Sequence, residues 1–323
     1  MTDPKVISYL QLCQLSYLRR PRHIRKAVAA LPRLNSGGSW ECVWGPAQSP
    51  DNVNLAYVAV YYESPGVPVF AAVAIRGTDV AVDIWGFIVQ LWEDLDVLDP
   101  QPFPWLPASC GALVAQGTLD GLSVIQQLTS GGQRLLPFLT EFLGEPQNRQ
   151  AQLVVTGHSL GGCLTTVVAP WLQVSLGHQG IGNAIVPVTF AAPTAGNPGF
   201  ATCFSSRFSG SLRYFNSLDI VPHAWGSLEA IKTIYDPDRL PTPDIVDIAV
   251  DAEITMMELF GVTYAQPGQD CELTGQFVPP PPRPPPSWSD EAYTQHHTTT
   301  YMKLLGGKSV AAEWRRPRIR SGV

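Results

Sequence analysis

The stretch LVVTGHSLGG, residues 153–162, decides the reading of this chain. A short β-branched run ends in a glycine-rich turn, and an apolar run of helical spacing follows it at 160–176. A serine two residues after one glycine and two before another, between strand and helix, marks a strained turn that projects the hydroxyl away from the sheet. The flanking positions of such a turn must be tiny, and Gly157 and Gly161 satisfy this. Without that context a Gly-x-Ser-x-Gly string is an ordinary glycine-rich turn.

Outward from this turn the chain alternates between strand and helix. Residues 54–63 and 67–75 are rich in Val, Tyr and Ala around a Ser64-Pro65-Gly66 turn, which predicts a hairpin. Helical spacing recurs at 113–128 and 134–143, and strands are expected at 153–156, 184–192 and 212–216. Alternation of this kind implies an α/β architecture, a mostly parallel sheet covered by helices and opened by the antiparallel hairpin. The sequence reads as one domain over 1–323. The run PPPPRPPP at 279–286 must be extended. It could offer a ligand to an aromatic groove, but candidate reactive residues lie on both sides of it, so it is read as a stiff connector.

Composition narrows the function classes. Of the 323 residues 45% are hydrophobic and 15% charged, which fits a compact globular protein with a large core. The net charge of -6 argues against a nucleic-acid partner, because phosphate binding relies on clustered Lys and Arg. Arg315, Arg316, Arg318 and Arg320 are read as a solvated tail. Six cysteines, each at least 29 residues from the next, form no zinc or redox motif and are left open between free thiols and disulfides, with Cys163 read as a small buried hydrophobe. No signal peptide is recognised near residue 1, and the best apolar run, 84–92, is too short for a membrane span. A soluble protein is expected, at most surface-binding, without metal or organic cofactor and of unassigned oligomeric state.

A serine hydroxyl is a weak nucleophile near neutral pH. It needs a histidine to take its proton and a carboxylate to hold that ring in the right tautomer. In the α/β-hydrolase sheet the partners follow the serine in the order acid, then histidine. Asp219, in YFNSLDIVPHAW just after the strand at 212–216, is the best acid, since ligand sites collect at strand C-termini. Asp236, Asp238 and Asp244 lie in a proline-punctuated loop and read as turn or cap residues. Among the histidines, His23 precedes the serine, His158 sits in the turn, His178 ends a helix, and His223 shares the loop of Asp219. His296 and His297 remain, following a cap at Ser287 or Ser289. Adjacent residues point in different directions, so one of the two can serve Ser159.

These residues also resemble the class 3 lipase family. The similarity is carried, in the family's order, by AIRGTD at 74–79, Gln116-Gly117, GHSLGG, TFAAPTAGN at 189–197, NSLDIVP, and a late histidine with Tyr301. The resemblance implies an α/β-hydrolase fold and hydrolysis of carboxylic lipid esters, with Ser159 as nucleophile, Asp219 as acid and His296 or His297 as base. Relatives commonly place the tyrosine three or five residues after the base. A spacing of five selects His296, with His297 the alternative. The backbone of Thr78 and of Leu160 would donate to the oxyanion, and Arg76 would hold its loop. By position, residues 80–107 would include a lid. Trp85, Ile88, Val89 and Trp92 share one face of the helical pattern at 82–97, with acidic and polar residues opposite, and residues 102–107 would add apolar surface where an acyl chain enters. A core helix is the alternative. A lipid or other ester is then the expected substrate, with transient contact at a lipid interface. Phospholipase or acyltransferase chemistry on the same triad is a second reading, and a noncatalytic lipid-binding or signalling protein a third.

Overall fold

The computed structural model describes residues 2–18, 20–34, 37–77, 96–235, 240–277 and 287–310. Seven strands form the main sheet: β1 (Ser39–Gln48), β2 (Leu55–Ser64), β3 (Val67–Ile75), β4 (Gln152–His158), β5 (Ile185–Phe190), β6 (Leu212–Asn216) and β7 (Gln269–Leu273). They lie in that order across the sheet. The first three are antiparallel neighbours, and from β3 onward every pair is parallel.

Ten helices surround it: α1 (Pro4–Ser16), α2 (Pro21–Ala29), α3 (Gln116–Gln127), α4 (Leu135–Gly144), α5 (Leu160–His178), α6 (Pro198–Arg207), α7 (Glu229–Thr233), α8 (Asp244–Phe260), α9 (Trp288–His296) and α10 (Thr298–Leu304), counted among the described residues.

The strand sequences show why the sheet is covered on both sides. Along β2, Ala56, Val58 and Val60 enter one apolar cluster, and Leu55, Tyr57, Ala59 and Tyr61 enter another. β3 divides in the same way, Ala71, Val73 and Ile75 against Phe70, Ala72 and Ala74. A strand buried on both faces carries no polar alternation, hence its continuous apolar reading. α3, α4 and α5 supply the first cluster, α1, α2 and α10 the second. A third cluster joins the loop after β6 to α8 and α9.

The hairpin was legible: Ser64 pairs with Val67 across Pro65 and Gly66, the latter at φ 77°. Other readings need correction. The expected helix at 113–128 begins only at Gln116, because residues Leu113–Ala115 form a short strand paired with Pro100–Pro102. Asn197 takes the Leu113 N–H at 3.0 Å, a partner that helical spacing cannot anticipate. Asp244 is not in a loop but heads α8. Within 102–107, Phe103 and Leu106 are buried in the first cluster, Phe103 edge-on to Phe200, so they add core rather than an apolar entrance. Cys110 and Cys203 form a disulfide, while Cys13, Cys42, Cys163 and Cys271 are free. Among the described helices α5 is long and apolar enough to cross a membrane, but 78% of that window is buried inside the protein, as a core helix requires. The proline run lies outside the described residues. The chain on its two sides meets where Gln295 Nε2 donates to the Gln276 carbonyl at 2.8 Å.

Candidate active site

Ser159 stands between β4 and α5 with φ 60° and ψ -134°, a conformation that costs a non-glycine residue about 1–3 kcal/mol. The surroundings leave no alternative path. A Cβ on Gly157 would lie 2.1 Å from the Gly161 carbonyl oxygen, and one on Gly161 would lie 2.4 Å from that of Ile75. Both clashes are with backbone, so neither can be relieved by a rotamer change. The Ser159 N–H donates to the Phe190 carbonyl at 3.0 Å, and the Ser159 carbonyl accepts from Gly162 and Cys163. β4, β5 and α5 therefore hold the turn together.

Asp219 follows β6, is fully buried, and lies in a turn closed by its own N–H to the Asn216 carbonyl. Three donors converge on its carboxylate: the Val221 N–H at 3.0 Å, the Tyr301 hydroxyl at 2.7 Å and His296 Nδ1 at 2.9 Å. The Tyr301 hydroxyl also accepts the Asn216 N–H at 3.0 Å, and burial together with the neighbouring carboxylate raises its pKa well above the usual tyrosine range. Tyr301 is thus kept as a protonated donor, fixing the Asp219 carboxylate.

His296 is the last residue of α9, which begins with a capping box between Ser287 and Asp290, so Ser287 rather than Ser289 is the cap. Asn216 Nδ2 ties this helix to the end of β6, donating to the Gln295 carbonyl at 3.0 Å and to its side chain at 2.7 Å. An ionised Asp219 can only accept, which places the His296 proton on Nδ1 and leaves Nε2 to accept from Ser159 Oγ, 3.0 Å away. Ser159, Asp219 and His296 are each at most 4% exposed. Such a chain lets the hydroxyl lose its proton as it attacks an electrophilic carbon.

His158 supports this arrangement from behind. Its Nε2 donates to the His296 carbonyl at 2.8 Å, since a carbonyl can only accept, and its Nδ1 faces the Tyr17 hydroxyl at 3.1 Å. Burial, with His296 close by, holds its pKa well below the ordinary histidine range. The ring therefore stays neutral in the folded protein while the unfolded chain protonates it as pH falls through about 6.5. Stability conferred by the neutral ring is complete above that pH and is lost as pH falls toward the depressed folded value, by up to about 1.4 kcal/mol per pH unit. His223 is shifted down in the same direction by its own burial, so the variant comparison isolates His158. In His158→Gln, whose amide can replace the Nε2 donor, urea midpoints should decline less steeply below pH 6.5 than in wild type. Parallel declines would show that His158 is not the acid-sensitive group.

The structure separates the other candidates. His297 caps α10, accepting the Thr299 N–H on Nδ1 at 3.2 Å, so its ring is engaged away from Ser159. His223 Nδ1 pairs with Ser227 Oγ at 2.9 Å, and His178 is exposed at the end of α5. Leu160 opens α5, where the first backbone N–H groups have no intrahelical acceptor. Arg76 donates to the carbonyls of Asn52 and Val53, in the turn between β1 and β2. Thr78 and the lid residues Trp85, Ile88, Val89 and Trp92 lie outside the described residues, as do Asp236 and Asp238. Sequence reasoning missed Tyr17, Asn216 and Gln295. Asn216 was detectable beside Asp219 in NSLD, whereas no local signal marks Tyr17, which arrives from the end of α1.

The description Lipase (class 3) belongs to the family model that matches residues 72–228. The resemblance read from the sequence is thus borne out across the segment that carries Ser159 and Asp219. A Caenorhabditis elegans protein named Lipase ZK262.3 is 33% identical over 32% of this chain and 29% of its own length. A rice (Oryza sativa subsp. japonica) protein named Phospholipase A1-II 3 is 31% identical over 55% of this chain and 44% of its own. The chain therefore spans less than half the length of either relative. Among solved structures, one described as M37 lipase is 27% identical, with TM-score 0.76, over 94% of this chain and 93% of that one. A structure described as a fungal lipase matches at TM-score 0.53 with 14% identity over 94% and 97% of the two chains, which speaks to the fold alone. The fold is of the α/β-hydrolase type, with antiparallel strands preceding its parallel sheet.

Proposed function

From the class 3 lipase match over residues 72–228 we propose that the protein hydrolyses carboxylic lipid esters through an acyl-enzyme on Ser159. The observation that carries this reading is the buried chain from Ser159 Oγ to His296 Nε2 at 3.0 Å and from His296 Nδ1 to Asp219 at 2.9 Å. In the first step Ser159 Oγ attacks the ester carbonyl as its proton passes to His296 Nε2. The alcohol then leaves with that proton. In the second step His296 deprotonates a water molecule that attacks the acyl-serine, and the C–O bond to Ser159 breaks as His296 returns the proton to Oγ, releasing the carboxylic acid. Asp219 stays ionised and stabilises the imidazolium formed in each half-reaction.

Each tetrahedral intermediate carries a new oxyanion. The Leu160 N–H at the start of α5 and, by the family resemblance, the backbone of Thr78 are the proposed donors. A well-aimed donor is worth about 3 kcal/mol of barrier. Rice relatives named phospholipase A1 support the narrower reading in which the ester is a phospholipid, and the lipase names support an uncharged glyceride. Labelling with a fluorophosphonate probe, blocked in Ser159→Ala, should mark the protein as a serine hydrolase. Turnover of triacylglycerol, phosphatidylcholine and a short soluble ester then ranks the substrates. A protein that neither labels nor turns over any of them would be a lipid-binding relative instead.

A further inference from the structure

A surface helix commonly buries one face and exposes a polar one, but α8 has three. Val246, Val250 and Met257 are buried in the third apolar cluster. Asp244, Asp247, Asp251 and Glu258 form an acidic edge. Ile245, Ile248, Ala252, Met256 and Leu259, at successive steps of three or four residues, form a stripe that points away from the protein. Of seven exposed large apolar side chains among the described residues, five are in α8: Ile245 at 65%, Ile248 at 67%, Met256 at 38%, Leu259 at 76% and Phe260 at 58%. Scattered surface apolar groups need no explanation, but an aligned set of this kind does.

We propose that α8 docks the protein on an uncharged or zwitterionic lipid surface through this stripe. The charges on the helix select that occupant. α8 contains no Lys or Arg, and its sequence DIVDIAVDAEITMMELF carries five carboxylates. The nearby Lys232, from α7, is already bonded to Asp251 at 2.7 Å and Glu229 at 3.2 Å. Antiparallel pairing of two copies along the stripe would set acidic edges beside one another, a repulsive arrangement at a helix seam. Anionic lipid would repel the same edge. A neutral lipid surface receives the apolar side chains while the carboxylates remain in water, the arrangement of an interfacial amphipathic helix.

The choice of lipid rests on the ester-hydrolase reading, and position agrees with it. The buried face of α8 packs in the cluster containing Ile220 and Val221, directly after Asp219, and Leu160 leans on that cluster. Docking through α8 therefore anchors the element that supports the acid loop and the start of α5.

The test uses the full chain as Ser159→Ala, so that lipid is not consumed, sedimented with phosphatidylcholine vesicles with and without added phosphatidylserine. Binding to phosphatidylcholine, weakened by phosphatidylserine, is expected. Ile248→Ser with Leu259→Ser should lower partition by at least about tenfold, as removal of two exposed apolar groups from the contact predicts. A second pair, Ile245→Ser with Met256→Ser, serves the same purpose if the first melts early. Unaltered vesicle binding in a folded pair, or tighter binding to phosphatidylserine, overturns the proposal. So does a dimer in analytical ultracentrifugation that the substitutions dissociate. In the Ser159 background, turnover of soluble p-nitrophenyl acetate should be the same with and without the stripe substitutions. Absence of that turnover in every variant counts against the hydrolase reading alone, while vesicle binding still decides the docking.

Discussion

Ser159→Ala is expected to lower turnover of a soluble ester by at least about a thousandfold, because it removes the hydroxyl placed to attack while leaving the surrounding donors in position. Residual turnover above roughly a hundredth of wild type in clean protein would sink the assignment of Ser159. The same substitution leaves the strained backbone in place, since alanine tolerates φ 60° with ψ -134° no better than serine does. Ser159→Gly removes the nucleophile and the Cβ penalty together. It should be as inactive as the alanine variant yet more stable than it by about 1 kcal/mol, measured by urea denaturation. An alanine variant as stable as the glycine variant would mean that the turn stores no strain. The strain is a cost of holding the hydroxyl above the end of the sheet.

His296→Ala should be nearly as damaging, by about a thousandfold, because without the imidazole Ser159 has no acceptor for its proton and Asp219 has no base to orient. His297→Ala should change turnover by less than about threefold while lowering stability by about 1 kcal/mol, the usual cost of losing a helix N-cap. The contrast separates a role in the reaction from a role in the fold at adjacent positions. Equal losses of turnover in two folded variants, or a reversed ranking, would assign the base wrongly. Hydrolysis of p-nitrophenyl butyrate, read beside thermal melts of both variants, decides between these outcomes.

Much of the α/β arrangement was open to inspection in one dimension because its determinants are local. The strand before Ser159, the small residues on either side and the apolar helix after it lie within one turn of chain, and each is demanded by sterics that hold wherever the turn occurs. Asp219 was legible for a similar reason, as the first carboxylate after the β6 strand in an order that a parallel sheet imposes. β1 was missed because Ser39, Glu41 and Gly45-Pro46 interrupt its apolar pattern, yet its pairing with β2 extends from Ser39 and Tyr62 to Gln48 and Leu55. α1 was missed because Gln11 and Gln14 break its apolar pattern. Both are buried, Gln11 donating to the Lys308 carbonyl at 3.1 Å and Gln14 to Thr298 Oγ1 at 3.4 Å. Those partners lie at the far end of the chain, beyond the reach of any window of sequence.

What the sequence determined by itself was therefore the strained serine turn, the order of strands and helices that makes a parallel sheet, the aspartate that follows β6, and the two neighbouring histidines as candidates to reach it. Only the tertiary structure distinguished those neighbours. α9 ends on His296, and at His297 the backbone leaves the helix, at φ -68° and ψ 139°, to cap α10. One ring consequently enters the gap between Ser159 and Asp219 while the other turns to Thr299. Tyr17 joined the site for the same physical reason. Hydrogen-bond partners more than a hundred residues apart, such as Tyr17 and His158, are brought within reach by burial of the two faces of the sheet, and spacing along the chain holds no record of that approach.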